Sequence, residues 1–279
     1  MSLLDCGGKP LDLTRPCVMG VLNVTPDSFS DGGCFLSADE ALEQGRRMAA
    51  EGAALIDVGG ESSRPGAEPV PAQQEMDRVV PVIERLSREV PVPLSVDTSK
   101  PQVMRAAAAA GAGLINDVLA LREPEALETA RELNLPVCLM HTQGRPRTMQ
   151  LDPHYDDVVS EVAAFLAARV TACVQAGIPR ERLLVDPGFG FGKSLAHNLR
   201  LLANLDRLLS LGLPLLVGIS RKSMIGTLVE RPVEQRLAGS LAAAVLAVRA
   251  GAVIVRAHDV GPSVDALKIV AAVRSQDAH

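Results

Sequence analysis

Eight times along the chain a short apolar run ends on a polar or charged residue, and the stops fall a few tens of residues apart. The first four are Asn23 after residues 18–22, Asp57 after 53–56, Asp97 after 93–96, and Asn116 with Asp117 after 114–115. The next four are His141 after 137–140, Asp186 after 183–185, Ser220 to Lys222 after 213–219, and Arg256 with His258 after 253–255. Runs this apolar, without alternation, suit parallel strands buried on both faces. Helix-like stretches separate them, so the chain reads as a repeated strand and helix alternation. When eight parallel strands close into a barrel, their C-terminal ends converge on one face and the polar stops become one ring around one pocket. The expected fold is therefore α/β, a (β/α)8 TIM barrel forming a single domain over 1–279, with its active site at the C-terminal ends of the strands.

The intervening helices carry their own punctuation. Residues 39–51 before Gly52 and 101–110 before Gly111 read as helices closed by glycine. Residues 156–175 set Val158, Val159, Val162, Phe165, Leu166 and Val170 at helical spacing, the pattern of a helix packed on the barrel. Residues 239–249 differ, because Ser240 and Arg249 alone interrupt an apolar sequence where an outer barrel helix keeps a polar face. A second subunit or the chain's own termini would cover it.

Length and composition agree with one globular barrel. The 279 residues lie near the roughly 250 typical of the fold, and no linker-like stretch divides them. The five cysteines form no C-x-x-C pair, which argues against a disulfide framework or zinc knuckle and for a reducing cytoplasm. Residues 1–9 lack the basic and apolar segments of a signal peptide, and the longest apolar stretch, 241–255, contains Arg249, so no membrane span is expected. A net charge of −5 argues against sequence-independent nucleic-acid binding, which needs a basic footprint.

The strand-end loops carry the candidate chemistry. NVTPDSFSDGG at 23–33 cannot continue a strand, yet sets Phe29 where no turn needs an aromatic. Four of the five phenylalanines, at 29, 35, 189 and 191, sit in or beside glycine-bearing loops, where they would line or plug the barrel mouth. Residues 57–67, DVGGESSRPGA, offer a pair of adjacent glycines, hydroxyls and the planar fork of Arg64, which suits phosphate but also a surface turn. DPGFGFGKS at 186–194 fails the P-loop pattern at Pro187 and the dinucleotide pattern because its glycines alternate. It remains a flexible loop around a carboxylate, of the kind that lies against flat heterocycles. Arg221, Lys222, Arg256 and His258, after strands seven and eight, would make a basic corner where barrels often bind phosphate. The histidines show no zinc pattern, so among metals an oxygen-liking ion such as Mg²⁺ fits. No nucleophile elbow exists, and Cys138 reads as a small core hydrophobe.

NVTPDSFSDGG, GESSRPGA at 60–67, SVDTSK at 95–100, DPGFGFGK at 186–193 and SRKSMIG at 220–226 together resemble, in order and over essentially the whole chain, the bacterial dihydropteroate synthase family. That resemblance implies condensation of (7,8-dihydropterin-6-yl)methyl diphosphate with 4-aminobenzoate, release of pyrophosphate in folate synthesis, and a sulfonamide target. It implies that Asp97, Asn116, Asp186 and Lys222, with Met140 and Phe191, hold the pterin. Asn23, Ser63, Arg64, Arg256 and His258 would hold the diphosphate, with Asn23 giving an oxygen to Mg²⁺. Phe29, Ser63, Pro65, Phe191 and Ser223 would shape the aminobenzoate pocket. Asp31, Arg64 and Lys222 would serve the chemistry, Asp31 by stabilising a pterin cation. Mobile loops at about 23–36 and 60–72 would close over the site of an expected homodimer. A methyltetrahydrofolate-dependent methyltransferase would share the barrel and the pterin residues but lack the first two motifs, and a pterin-binding paralogue without synthase activity would lose parts of those loops. Ser63 departs from the Thr more usual in the family, keeping the hydroxyl and losing a methyl. Replacing Ser63→Thr is expected to shift sulfonamide inhibition constants more than turnover; equal shifts in both would remove Ser63 from the aminobenzoate pocket.

Overall fold

Parallel strands that follow one another in sequence lie side by side, which makes the sheet order of this protein almost a reading of the chain. The computed structural model describes residues 3–24, 38–62, 66–144 and 148–276. An antiparallel hairpin, β1 (Leu3–Cys6) and β2 (Lys9–Asp12), precedes the barrel. The barrel strands are β3 (Cys17–Asn23), β4 (Leu55–Gly59), β5 (Leu94–Asp97), β6 (Leu114–Asp117), β7 (Val137–Met140), β8 (Leu183–Asp186), β9 (Leu216–Val217) and β10 (Ile254–Ala257). Their order in the sheet is β8-β7-β6-β5-β4-β3-β10-β9. A parallel bridge between Val185 and Leu215 joins the two ends, with Val185 N–H donating to Pro214 O at 3.1 Å. The barrel is thereby closed, and helices α1 (Ala38–Ala50), α2 (Ala72–Glu89), α3 (Pro101–Ala109), α4 (Ala126–Leu133), α5 (Val158–Gln175), α6 (Leu195–Ala203), α7 (Ser223–Val229), α8 (Leu237–Arg249) and α9 (Val260–Arg274) follow the strands.

The strands are buried on both faces, as their apolar runs require, but the two faces differ. Outward residues such as Val18, Ile56, Val96, Ile115, Leu139, Val185 and Val255 pack in one large core with the helices. Inward residues Met19, Leu55, Leu114, Cys138, Leu184, Leu216 and Ile254 form a separate apolar floor with Leu4, Cys6, Leu11 and Leu13 of the hairpin. Because side chains alternate along a strand, the next inward positions are Asp57, Asn116, Met140, Asp186, Gly218 and Arg256. An apolar floor thus carries a polar layer directly above it. Asp57 does not end its strand, as the hydrophobic run suggested, since Val58 and Gly59 continue β4. It lies within the barrel instead of at its rim.

Two further differences have local causes. The seventh strand shrinks to Leu216–Val217, with Gly218 and Ser220 already part of the turn into α7. The hairpin is written in the sequence by Gly7 and Gly8, both at positive φ (64° and 85°), the combination that a tight two-residue turn between twisted strands demands. Among the described residues α5 has the length and hydropathy to cross a membrane, yet Val159, Val162, Leu166 and Val170 are buried within the chain's own core. Leu11 is central to the floor at 1 % exposure. Leu11→Ala should cost about 2–5 kcal/mol of stability by chemical denaturation while leaving the Michaelis constants of any reaction at the opposite end unchanged.

Candidate active site

The polar layer builds one connected network. Asp57, fully buried, accepts from Arg256 Nε at 2.6 Å, from Asn116 Nδ2 at 3.0 Å and from Ser95 Oγ. Arg256 reaches on through Nη2 to Asp97 Oδ2 at 2.8 Å. Asp57 and Ser95 are cross-strand partners in register, as are Asp97 and Asn116. Adjacent strands therefore bring these side chains together without any loop. On the opposite wall Asp186 Oδ1 accepts from the Gly188 N–H at 2.7 Å, and Lys222 Nζ stands 4.1 Å from the centre of the Phe191 ring, a cation–π contact. Gly190 permits this approach, because a Cβ there would sit 3.2 Å from the Lys222 stem.

These groups border a pocket lined by Asp97, Asn116, Met140, Asp186, Phe191, Lys222 and Arg256. Acceptors on two walls with an aromatic ring and a thioether between them suit a flat polar heterocycle. Burial pushes the Asp97 carboxyl up, with Arg256 pulling against it. Burial also lifts Asp186, to about 6, although the Gly188 N–H and Lys222 favour its anion. Lys222 moves the other way, to about 8, through burial and then the neighbouring Arg256 charge. Burial disfavours charge on Arg256, but Asp57 and Asp97 outweigh it and hold the guanidinium protonated. His258, whose Nδ1 lies 3.1 Å from Ser220 Oγ, is pushed down to about 3 by burial and by Arg256, Arg221 and Lys222.

A family model for pterin binding enzymes matches residues 19–258. The dihydropteroate synthase of Haemophilus influenzae is 54 % identical over 95 % of this chain and 97 % of its own length. That of Escherichia coli K12 is 54 % identical over 96 % and 95 %. The chain belongs to the dihydropteroate synthase family. Its fold superposes with a TM-score of 0.95 on a Yersinia pestis dihydropteroate synthase in complex with a sulfonamide drug, 56 % identical with 98 % of this chain and 99 % of that chain covered. A Xanthomonas albilineans dihydropteroate synthase with 4-aminobenzoic acid gives a TM-score of 0.93 at 56 % identity, with 98 % of each chain covered.

Measured against the residues expected of a dihydropteroate synthase, the barrel brings Asp97, Asn116, Asp186, Lys222, Met140, Phe191 and Arg256 to one pocket. Asn23 ends β3 beside Gly59, where a Cβ would fall 3.6 Å from its Oδ1 and 3.5 Å from Asp97 Cβ. His258 follows β10 on the Ser220 side, and Ser223 is exposed as the first residue of α7. Phe29, Asp31, Cys34, Ser63, Arg64 and Pro65 lie outside the described residues. One member of the expected basic corner is turned away. Arg221 adopts a left-handed φ of 58° and pairs through both Nε and Nη2 with Asp259, so its charge is spent on that carboxylate. Asp117, next to Asn116, likewise faces away from the pocket and accepts from the Leu119 and Leu121 N–H groups. Sequence reasoning placed Asp57 among the ligand-reading carboxylates and passed over Ser95, whereas the two lie beneath the pocket and orient its floor. Strand alternation counted from Leu55 and Leu94 would have located both. Asp57→Ala should cost about 3–5 kcal/mol, the range for breaking a buried ion pair from one side. Denaturation with urea tests this, and a variant as stable as its parent would show that Asp97 alone can hold Arg256.

Proposed function

We propose that this chain performs its family's reaction at the strand ends, joining (7,8-dihydropterin-6-yl)methyl diphosphate to 4-aminobenzoate to give 7,8-dihydropteroate and pyrophosphate. The observation that carries the reading is the joint presence of Asp97, Asn116 and Asp186 with Lys222 over Phe191 in one buried pocket. A pterin edge offers ring N–H and amino donors, and a carboxylate can accept such a pair as it accepts a guanidinium. Asp97 and Asp186 would take these donors, with Asn116 as an adaptable amide partner. Lys222 would donate to a ring acceptor, while Phe191 and Met140 would cover the ring faces.

Arg256, His258, Asn23, Ser63 and Arg64 would receive the diphosphate. Arg256 is paired with Asp57 and Asp97, so it would share its remaining N–H donors with the arriving anion. Among the described residues no group of three or more His, Cys, Asp or Glu could hold a metal. Asn23 offers a single amide oxygen at a strand end, a donor that fits Mg²⁺ entering on substrate phosphates and keeping its waters. Bound there, Mg²⁺ would neutralise charge on the diphosphate.

The reaction would be dissociative. The bond from the pterin methylene carbon to the diphosphate oxygen breaks with its electron pair leaving on oxygen, which creates a cation delocalised into the dihydropterin. Asp31, and the carboxylates around the ring, would stabilise positive charge as it develops. The arylamine lone pair of 4-aminobenzoate then forms the new C–N bond, and its proton departs to water or to the pyrophosphate. An arylamine is nucleophilic without prior deprotonation, so no general base is required. Phe29, Ser63, Pro65, Phe191 and Ser223 would position the aminobenzoate and help exclude water from the cation.

The same reading extends to setting. Cys6, Cys17, Cys138 and Cys173 are free thiols, which supports a reducing cytoplasm. α7, α8 and α9 leave Leu228, Val229, Leu237, Leu246, Ile269 and Val273 exposed, and a second copy of the chain would cover them in a homodimer. No nucleic-acid or membrane partner is called for.

Pyrophosphate release measured with Mg²⁺ and the dihydropterin diphosphate, with and without 4-aminobenzoate, tests the reaction. Release that depends on the arylamine and vanishes in Asp97→Ala is expected; pterin binding without release would mark a silent paralogue. The titrations give a second check, since kcat/KM reports groups on the free enzyme. As the pH falls, Asp97 and then Asp186, both raised by burial, gain protons and lose acceptor capacity, and above about 8 Lys222 loses its charge. A bell between these limbs is expected for the pterin substrate, with the alkaline limb absent in Lys222→Met; an unaltered limb in that variant would assign it elsewhere.

A further inference from the structure

The motif DPGFGFGKS carries, just before its final serine, a lysine for which the reaction has no use. Lys193 is 3 % exposed and does not line the pocket. Its ammonium donates to Gly188 O at 2.9 Å and Phe191 O at 3.0 Å, and lies 2.9 Å from His141 Nδ1. An ammonium has three N–H donors, so these three partners saturate it. Burial pushes Lys193 itself down to about 7 with Asp186 pulling against it, and with the lysine as the donor the lone pair lies on Nδ1 and the imidazole proton on Nε2. Burial and the Lys193 charge push that imidazole down to about 2, which keeps it an acceptor.

The acceptors define what the lysine does. Two are carbonyls of the glycine loop that runs from Asp186 to α6, and the third belongs to the residue that follows β7. The glycines at 188, 190 and 192 all have positive φ, at 67°, 78° and 61°, so local preference gives this loop little rigidity of its own. It lies tight against the neighbouring strand end: a Cβ on Gly188 would come within 1.9 Å of His141 O, and one on Gly192 within 2.6 Å of Gln143 O. Other carbonyls are tied as well, Gly192 O by Tyr155 Oη at 2.8 Å and Lys193 O by Asn198 Nδ2 at 3.2 Å, while Gly190 N–H donates to Asn198 Oδ1 at 2.8 Å. The loop has its polar centre at Lys193 Nζ. Its other side presents the Gly188 N–H to Asp186 and the Phe191 ring to Lys222.

We infer that Lys193 is a positioning residue for the pterin pocket, fixing the backbone from Gly188 to Phe191 against His141 so that the Asp186 and Phe191 side chains stand where the pterin meets them. Lys193 touches no substrate. It acts through the two residues flanking the bonds it makes, and the inference rests on the reading of this pocket as the pterin site.

The full-length enzyme with (7,8-dihydropterin-6-yl)methyl diphosphate, Mg²⁺ and saturating 4-aminobenzoate provides the test. Lys193→Met should raise the KM for the pterin substrate about tenfold, a change of about 1.4 kcal/mol, with kcat at saturation altered far less. His141→Leu should do the same, and His141→Asn should restore much of the loss, because its amide oxygen can accept where Nδ1 does. The His141 pair decides the matter if Lys193→Met fails to fold. A pterin KM unmoved in His141→Leu, or a His141→Asn no better than His141→Leu, overturns the inference. A parent enzyme that neither turns over nor binds the pterin would instead overturn the reading of the pocket.

Discussion

The buried contact between Arg256 and Asp57 is the constraint from which the rest of this site follows. An ion pair removed from water must be matched in geometry and hydrogen bonding or it costs more than it returns. Here the matching comes from strand register: Ser95, Asn116 and Arg256 converge on one carboxylate from three other strands. Arg256 then spans from Asp57 to Asp97, and the two carboxylates outnumber the one guanidinium between them. Asp97, which lines the pocket, keeps more acceptor capacity than its one bond from Arg256 fills. A ligand rich in N–H groups uses that capacity, and an apolar ligand of equal shape does not.

The same arrangement explains which features were legible in the sequence. Strand ends such as Asn116, Asp186 and Arg256 interrupt apolar runs, and closure of a parallel barrel gathers them whatever the details of its helices. Asp57 looks identical in the sequence, yet it is fully buried and turned to Arg256, Asn116 and Ser95 inside the barrel, and its strand continues for two residues beyond it. A one-dimensional pattern marks where hydrophobicity stops; it does not mark height along the barrel axis. Arg221 departs from the expected basic corner for a related reason. Its neighbour Lys222 points into the pocket, while a left-handed backbone at Arg221 sends its side chain to Asp259. The hairpin turn at Gly7 and Gly8 was fully written in the chain, but two four-residue strands carry too few apolar positions to stand out beside the barrel runs.

Aromatic economy shapes the pocket in a further way. Five Phe, one Tyr and no Trp leave the core to aliphatic side chains, and branched aliphatics fill the layer between strands and helices. The glycine loop receives two of these rings in adjacent turns. Phe189 is buried in the large core and anchors the loop from behind, while Phe191 joins Met140, Met149 and Val118 in a small separate cluster. Phe189 also borders the pocket, so the loop serves the core and the ligand site at once.

The hairpin at the far end gives the barrel a stopper. With Leu4, Cys6, Leu11 and Leu13 packed under the inward leucines, the interior becomes a vessel filled and emptied through one mouth. In such a vessel depth dictates sequence: the partner that sits lowest must arrive before the one above it, and a joined product has to leave whole by the way its parts came in.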